Sequence, residues 1–350
     1  MAFKRVSNPP NPWQRYGVEW LGAPPEAGLE IYEEHARSIL SQNDSPDLGF
    51  RFSLNPYRGC FHACAYCYAR PTHQYLEFGA GTDFDRKLIA KVNAPELLEE
   101  AFRKKSWQGE CVVFSGVTDC YQPLEATYEL TRRCLEVALA FRNPVSLITK
   151  SALVRRDVQL FSQLHTHARV HVTLSIAFSD DKMARLIEPN APLPSARFEA
   201  LKALSAAGVP TGVAVAPLIP GLNDAQIAEV LERAQACGAR NAFCTMLRLP
   251  AEVEPVFIER LHVAFPDRAQ KVLNGIRDMR GGELYKGGFG ERMRGEGERW
   301  RASQWLFENT CKRLGLNSMG EQRLGREPGL NDRETFKRPP KRGETASLFE

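Results

Sequence analysis

Six times between residues 50 and 265, a short stretch rich in Val, Ile, Phe or Thr is followed by a longer amphipathic one. The short stretches, 50–54, 110–115, 145–149, 170–176, 211–216 and 241–247, have the length and composition of strands. The longer ones, 95–105, 125–141, 153–165, 195–207, 225–236 and 254–265, carry apolar residues at helical spacing. In the second of them Leu130, Cys134, Val137 and Phe141 share one face. Gly208 and Gly238 stand where a helix C-terminus is expected. Alternation of this kind calls for parallel strands joined by right-handed crossovers, so the chain is an α/β protein. Periodicity alone leaves both an open doubly wound sheet and a barrel standing.

In parallel α/β folds, ligands bind beyond the carboxyl ends of the strands. The loop after the first strand reads Asn55-Pro-Tyr-Arg-Gly-Cys60-Phe-His-Ala-Cys64-Ala-Tyr-Cys67-Tyr-Ala-Arg70. Three thiolates spaced C-x3-C-x2-C can each take one iron of a [4Fe–4S] cluster. One iron then stays open, and an open coordination site is where chemistry happens. A zinc site is the alternative, but zinc mostly uses paired cysteines with a second pair or histidines further on. No second Cys pair follows, and His62 lies inside the loop. The other six of the nine cysteines, Cys111, Cys120, Cys134, Cys237, Cys244 and Cys311, are scattered without framework spacing. That fits a reducing cytoplasm rather than a disulfide scaffold. No apolar run approaches membrane-spanning length, and no secretory h-region opens the chain, so a cytoplasmic protein without a membrane partner is expected.

Polar, Gly and Pro residues gather after every strand. After the second comes Ser115-Gly-Val-Thr118-Asp119-Cys120-Tyr121-Gln122-Pro123-Leu-Glu125. After the third comes Thr149-Lys150-Ser151. The fourth carries Ser175, the fifth runs into Ala216-Pro217-Leu-Ile-Pro220, and the sixth ends Arg248-Leu-Pro250.

The Cys loop, with Tyr66 just before its last Cys, resembles the signature of the radical S-adenosylmethionine (radical SAM) superfamily. The resemblance implies a partial (β/α)6 TIM-like barrel with the cluster loop after its first strand. It implies an enzyme in which Cys60, Cys64 and Cys67 hold the [4Fe–4S] cluster and SAM chelates the fourth iron. One electron would then split SAM into methionine and a 5′-deoxyadenosyl radical that abstracts hydrogen from a substrate. On the same ground, Tyr66 packs near the adenine. Ser115, Gly116, Thr118 and Asp119 stand where the SAM amino group is bound. Lys150 pairs with the SAM carboxylate, Ser175 reaches the carboxylate or ribose, and residues 216–220 line the adenine. An electron donor such as flavodoxin or ferredoxin is implied.

The longer runs Phe52-Ser-Leu-Asn-Pro-Tyr-Arg-Gly-Cys60, Tyr66-Cys-Tyr-Ala-Arg70, Thr118-Asp-Cys-Tyr-Gln-Pro-Leu-Glu125, Ile148-Thr-Lys-Ser151 and Leu186-Ile-Glu188-Pro189 look like the bacterial group related to spore photoproduct lyase, a DNA repair enzyme. This similarity spans residues 50–248. It suggests a nucleic-acid base as substrate, although fold and cofactor do not fix substrate. The lyase returns a hydrogen atom from a Cys after its second strand. The matching place here is near Gly116, and the nearest thiol is Cys120, a candidate hydrogen donor or a buried inert Cys. The rival reading is a non-catalytic iron–sulfur protein for electron transfer or redox sensing, with Cys120 as fourth ligand.

The resulting organisation is a leader segment at 1–49 with one short helix at 30–40, a radical SAM core at 50–270, a C-terminal extension at 271–335 and a basic flexible tail at 336–350. The net charge is only +4, yet basic residues outnumber acidic ones from residue 271 onward. Residues 277–301 interleave Arg and Lys with Tyr285, Phe289 and Trp300. Such a segment can hold phosphates and stack bases, or can simply cover the barrel mouth beside a basic helix at 298–313. The terminal Ser347-Leu-Phe-Glu350 looks like a peptide that docks on the bacterial sliding clamp; a disordered tail is the alternative.

Overall fold

All six stretches read as strands form them, and they lie side by side in chain order. The computed structural model describes residues 28–317 and 335–340. Its strands are β1 (Glu30–Glu34), β2 (Leu40–Gln42), β3 (Phe52–Leu54), β4 (Tyr57–Arg58), β5 (Lys87–Lys91), β6 (Val112–Phe114), β7 (Val145–Thr149), β8 (Val170–Ser175), β9 (Thr211–Leu218) and β10 (Asn241–Met246). A seven-stranded sheet runs β10-β9-β8-β7-β6-β3-β2. Strands β3 and β6 to β10 are parallel, and β2 adds antiparallel to β3.

A doubly wound sheet needs a reversal of strand order. Here every crossover steps the same way, so right-handed connections place the helices on one face and the sheet curls into a partial barrel. Val112, Phe114, Leu147, Val172, Leu174, Val213 and Val215 are fully buried along the strands. They are the near-continuous apolar runs of a sheet covered on both faces. Gly208 and Gly238 close the helices Pro194–Ala206 and Ile227–Ala236 in the left-handed conformation.

Three expectations are corrected. Residues 30–40 are not a helix: β1 pairs parallel with β5, which pairs antiparallel with β4, making a second, three-stranded sheet beside the Cys loop. The register sets Glu30 against Lys87 and Glu34 against Lys91, so opposite charges face each other across the pair. The helix expected over 125–141 is two, Glu125–Tyr128 and Leu130–Ala140, broken at Glu129 with φ 51°. The buried Glu125 carboxylate takes the Thr131 and Arg132 amides at 2.8 and 3.1 Å, and so satisfies the start of the second helix.

Finally, residues 336–340, expected as the start of a flexible tail, are docked. Phe336 packs against Phe102 and Phe141, close over Gly109, where a Cβ would meet its own at 2.4 Å. Arg338 donates to the Phe102, Lys104 and Trp107 carbonyls. The terminal Ser-Leu-Phe run and most of the leader lie outside the described residues.

The edges of the barrel, β10 and the β2–β3 pair, are bridged by the chain after β10. Arg280 donates to the carbonyls of Leu247, Glu291, Arg292 and Arg294. The Met246 amide donates to Met293, and Arg292 reaches across to Asp47 and Ser45. The basic helix forms as Gly297–Leu314 and packs on Ile227–Ala236.

Candidate active site

The Cys loop leaves β4 at Gly59, whose φ is +69° and whose Cβ would lie 2.9 Å from the Lys87 carbonyl and the Leu88 side chain. Only glycine fits there. Side chains from distant elements then hold the loop by its backbone. Gln122 donates to the Gly59 carbonyl at 3.0 Å and accepts the Phe61 amide at 3.0 Å. Asn190 donates to the Phe61 carbonyl at 2.9 Å. Arg70 donates to the Cys64 carbonyl at 2.8 Å, and Arg260, from the helix after β10, donates to the Ala63 carbonyl at 2.6 Å. Asp85 pairs with both guanidiniums. The loop is thus fixed from four sides before any ligand binds.

Cys60 and Cys64 are buried and Cys67 is nearly so. Burial raises all three thiols, Cys64 to about 12. The cations nearby pull the other way: Lys150 and Arg197 toward Cys64, Arg70 and Lys150 toward Cys67. Bare, these thiols keep their protons, and binding iron releases them.

Behind the loop lies a buried charge network. Tyr66 donates its hydroxyl to Glu188, which also receives Arg197, and all three side chains are buried. Burial favours the neutral carboxyl, but Arg197 and Lys150 outweigh it and hold Glu188 below the usual carboxylate range. Lys150 lies 5.4 Å from the centre of the Tyr66 ring; burial opposes its charge, and Cys64 and Glu188 raise its pKa nonetheless. His62 is 2% exposed, 3.5 Å from Asp119, and its Nε2 has no partner.

The residues assigned to SAM meet at this end of the barrel in two ways. Asp119 and Thr118 spend their side chains on the scaffold. Asp119 accepts from Thr149 at 2.6 Å, the Lys150 amide at 2.7 Å and the Tyr121 amide at 2.9 Å. Thr118 accepts from Asn55 and donates to the Tyr57 carbonyl. Ser115, at φ 74°, accepts the Cys120 amide, and the Gly116 carbonyl receives the Tyr68 hydroxyl at 2.9 Å. Ser175 donates to the Ala216 carbonyl at 3.3 Å, while its own carbonyl takes Arg197. The Ala216–Pro217 bond is cis, and Asn223 holds the Pro217 carbonyl at 2.9 Å. Cys120 is fully buried beside Ser115.

Sequence reading missed Gln122, Asn190, Glu188, Arg197 and Arg260 as parts of the site. Gln122 and Glu188 stood inside recurring runs without a role. Arg197 and Arg260 lie in helices, where nothing in the local pattern separates a buried arginine from a solvated one. Tyr68 and Arg248 were also passed over: the Arg248 guanidinium sits 4.9 Å from the Tyr68 ring centre.

This donor set fits a four-iron cluster. Three thiols stand on one rigid loop with cations on two sides and an unpartnered imidazole nitrogen among them. Among the described residues, no three His, Cys, Asp or Glu side chains converge to hold a single metal ion. A cube, which takes one thiolate at each of three corners, asks for no such convergence.

The family model described as the Radical SAM superfamily matches residues 54–234. An uncharacterized protein of Mycobacterium tuberculosis, Rv2578c, is 36% identical over 258 residues, covering 73% of this chain and 76% of that one. The uncharacterized protein MJ0683 of Methanocaldococcus jannaschii is 31% identical over 198 residues, covering 57% and 71%. Among solved structures, spore photoproduct lyase complexed with dinucleoside spore photoproduct superposes with a TM-score of 0.61 at 14% identity, over 85% of this chain and 86% of that one. At that identity the likeness shows the fold.

Proposed function

The chain belongs to the radical SAM superfamily, and from that premise we propose that it is a radical SAM enzyme acting on a nucleic-acid base, with Cys60, Cys64 and Cys67 as the ligands of a [4Fe–4S] cluster. The observation that carries the cluster assignment is the fixed loop: three thiols, two of them buried and the third partly so, on a backbone gripped by Gln122, Asn190, Arg70 and Arg260. When bound, the cluster and SAM supply one-electron reductive cleavage and hydrogen abstraction, given an electron from a donor of the flavodoxin or ferredoxin kind. This chain's residues bind, orient and shield.

Tyr66 is held by Glu188 with its ring beside the loop, where an adenine can stack. Lys150 carries the positive charge suited to the SAM carboxylate. The backbone of 115–119, fixed by Asn55, Tyr68 and the Asp119 anchor, would meet the SAM amino group. The segment held by Arg280 borders that side of the barrel.

The nucleic-acid part draws support from the solved lyase, whose bound ligand is a dinucleoside photoproduct, and from the basic C-terminal third of the chain. It is tested by following 5′-deoxyadenosine formation, without oxygen, in the presence of irradiated and unirradiated oligonucleotides. Stimulation above the rate without substrate supports the reading. No stimulation by any DNA or RNA sinks the substrate assignment and leaves the family untouched.

A further inference from the structure

The arginines around the barrel mouth are satisfied one by one, with one exception. Arg197 has Glu188, Arg260 has Asp85 and Arg292 has Asp47. Arg280 has four backbone carbonyls. Arg248, at the carboxyl end of β10, has no carboxylate within 4 Å among the described residues. Its Nε is buried without a partner, as are those of Arg260 and Arg280, but unlike theirs its terminal nitrogens find no oxygen acceptor among the described residues, Nη1 having only the Met293 sulfur at 3.9 Å. Arg280 lies near enough to add like-charge repulsion. An uncompensated guanidinium in a half-buried position is costly unless a ligand completes it.

Its position is also specific. Arg248 lies over Tyr68, the residue after Cys67, and Tyr68 in turn bonds the Gly116 carbonyl of the loop after β6. Tyr68 is 45% exposed, so its ring reaches the surface while the Arg248 Nε stays buried. The contact joins the two edges of the partial barrel, at the end where ligands of parallel α/β folds bind.

We propose that Arg248, steadied by Tyr68, is the seat for a phosphate of the substrate, a phosphodiester of a single-stranded or locally opened nucleic acid. The inference rests on the nucleic-acid reading above. A guanidinium presents paired donors that match two phosphate oxygens, and stacking on an aromatic ring keeps that fork aimed. Lys150, on the Tyr66 side, is left for the cofactor carboxylate, so the two cations take two different anions.

The test is binding of a fluorescein-labelled octathymidylate to the reconstituted full chain, read by anisotropy at several salt concentrations. Arg248→Ala should weaken binding about tenfold and lower the slope of log K against log salt by about 0.7, the value for one phosphate contact on a single strand. Arg248→Lys, which keeps the charge without the fork, should recover part of the affinity and all of the slope. Lys202→Ala, on the exposed face of the helix Pro194–Ala206, removes one positive charge elsewhere and should change neither. The inference is overturned if the wild-type chain does not bind the oligonucleotide, if Arg248→Ala binds with unchanged affinity and slope, or if Lys202→Ala loses as much. Failure of the radical SAM reading is seen separately, in Cys64-dependent formation of 5′-deoxyadenosine, which needs no oligonucleotide.

Discussion

Tyr66, between Cys64 and Cys67, donates its hydroxyl to Glu188, whose other oxygen holds Arg197. The three come from the Cys loop, the end of the helix Asp181–Ile187 and the helix Pro194–Ala206. They are buried together, so removing one member leaves another unpaired. Glu188→Gln strips Arg197 of its counter-charge and should cost about 3–5 kcal/mol. Tyr66→Phe removes one hydrogen bond to a charged acceptor and should cost about 1.5–3 kcal/mol. Urea unfolding of the two variants measures both. A Glu188→Gln chain as stable as wild type would mean the pair is not desolvated.

Gln122 spans the Cys loop with both ends of its amide. Gln122→Ala leaves the Phe61 amide and Gly59 carbonyl without their partner at roughly 1–3 kcal/mol each. The fold has many other supports, whereas the loop has few. Iron and sulfide bound per chain after reconstitution should therefore fall while the circular dichroism stays native. Full loading of the variant would show that the amide bridge is dispensable.

His73 supplies a pH dependence. It is buried between Phe78 and Phe84, and burial lowers its pKa from 6.5 to about 4. The unfolded chain therefore takes up a proton near pH 6.5 that the folded chain refuses until about pH 4. Stability is full above pH 6.5 and falls as the pH drops toward 4, by on the order of 3 kcal/mol in all. His73→Leu should flatten that limb of the stability curve. An unchanged acid limb would assign the loss to other groups.

Phe336 docks a chain segment about two hundred residues from the surface it covers. Phe336→Ala should lower the melting temperature, because the Phe102 and Phe141 rings lose their cover; full burial would cost about 3–5 kcal/mol, and this half-buried ring about half of that. Differential scanning calorimetry reads the change. An unaltered transition would mean the segment adds nothing to the fold.

The sequence carried the barrel because its strands are buried on both faces and therefore read as short apolar runs. It did not carry β1 or β5. Glu30-Ile-Tyr-Glu-Glu34 is exposed on an edge and lacks an apolar face, and its strand identity comes from backbone pairing with β5. The cysteines were legible from spacing alone. Their support was not, because Arg260 and Asn190 reach the loop from well over a hundred residues away. Hydrogen bonds of that span leave no local pattern. Asp119 shows the reverse case: its place in the chain suggested a ligand contact, and the structure uses its carboxylate to fasten β6 to β7.

The most direct test of the account is made without oxygen. The chain is reconstituted with iron and sulfide, reduced and given SAM, and 5′-deoxyadenosine is quantified beside a Cys64→Ala control. The account predicts product from the wild-type chain and none above background from the variant, whose barrel remains folded. A fully loaded, reducible cluster that yields no product and whose spectrum ignores SAM would contradict it, and would leave an iron–sulfur protein that only carries or senses electrons.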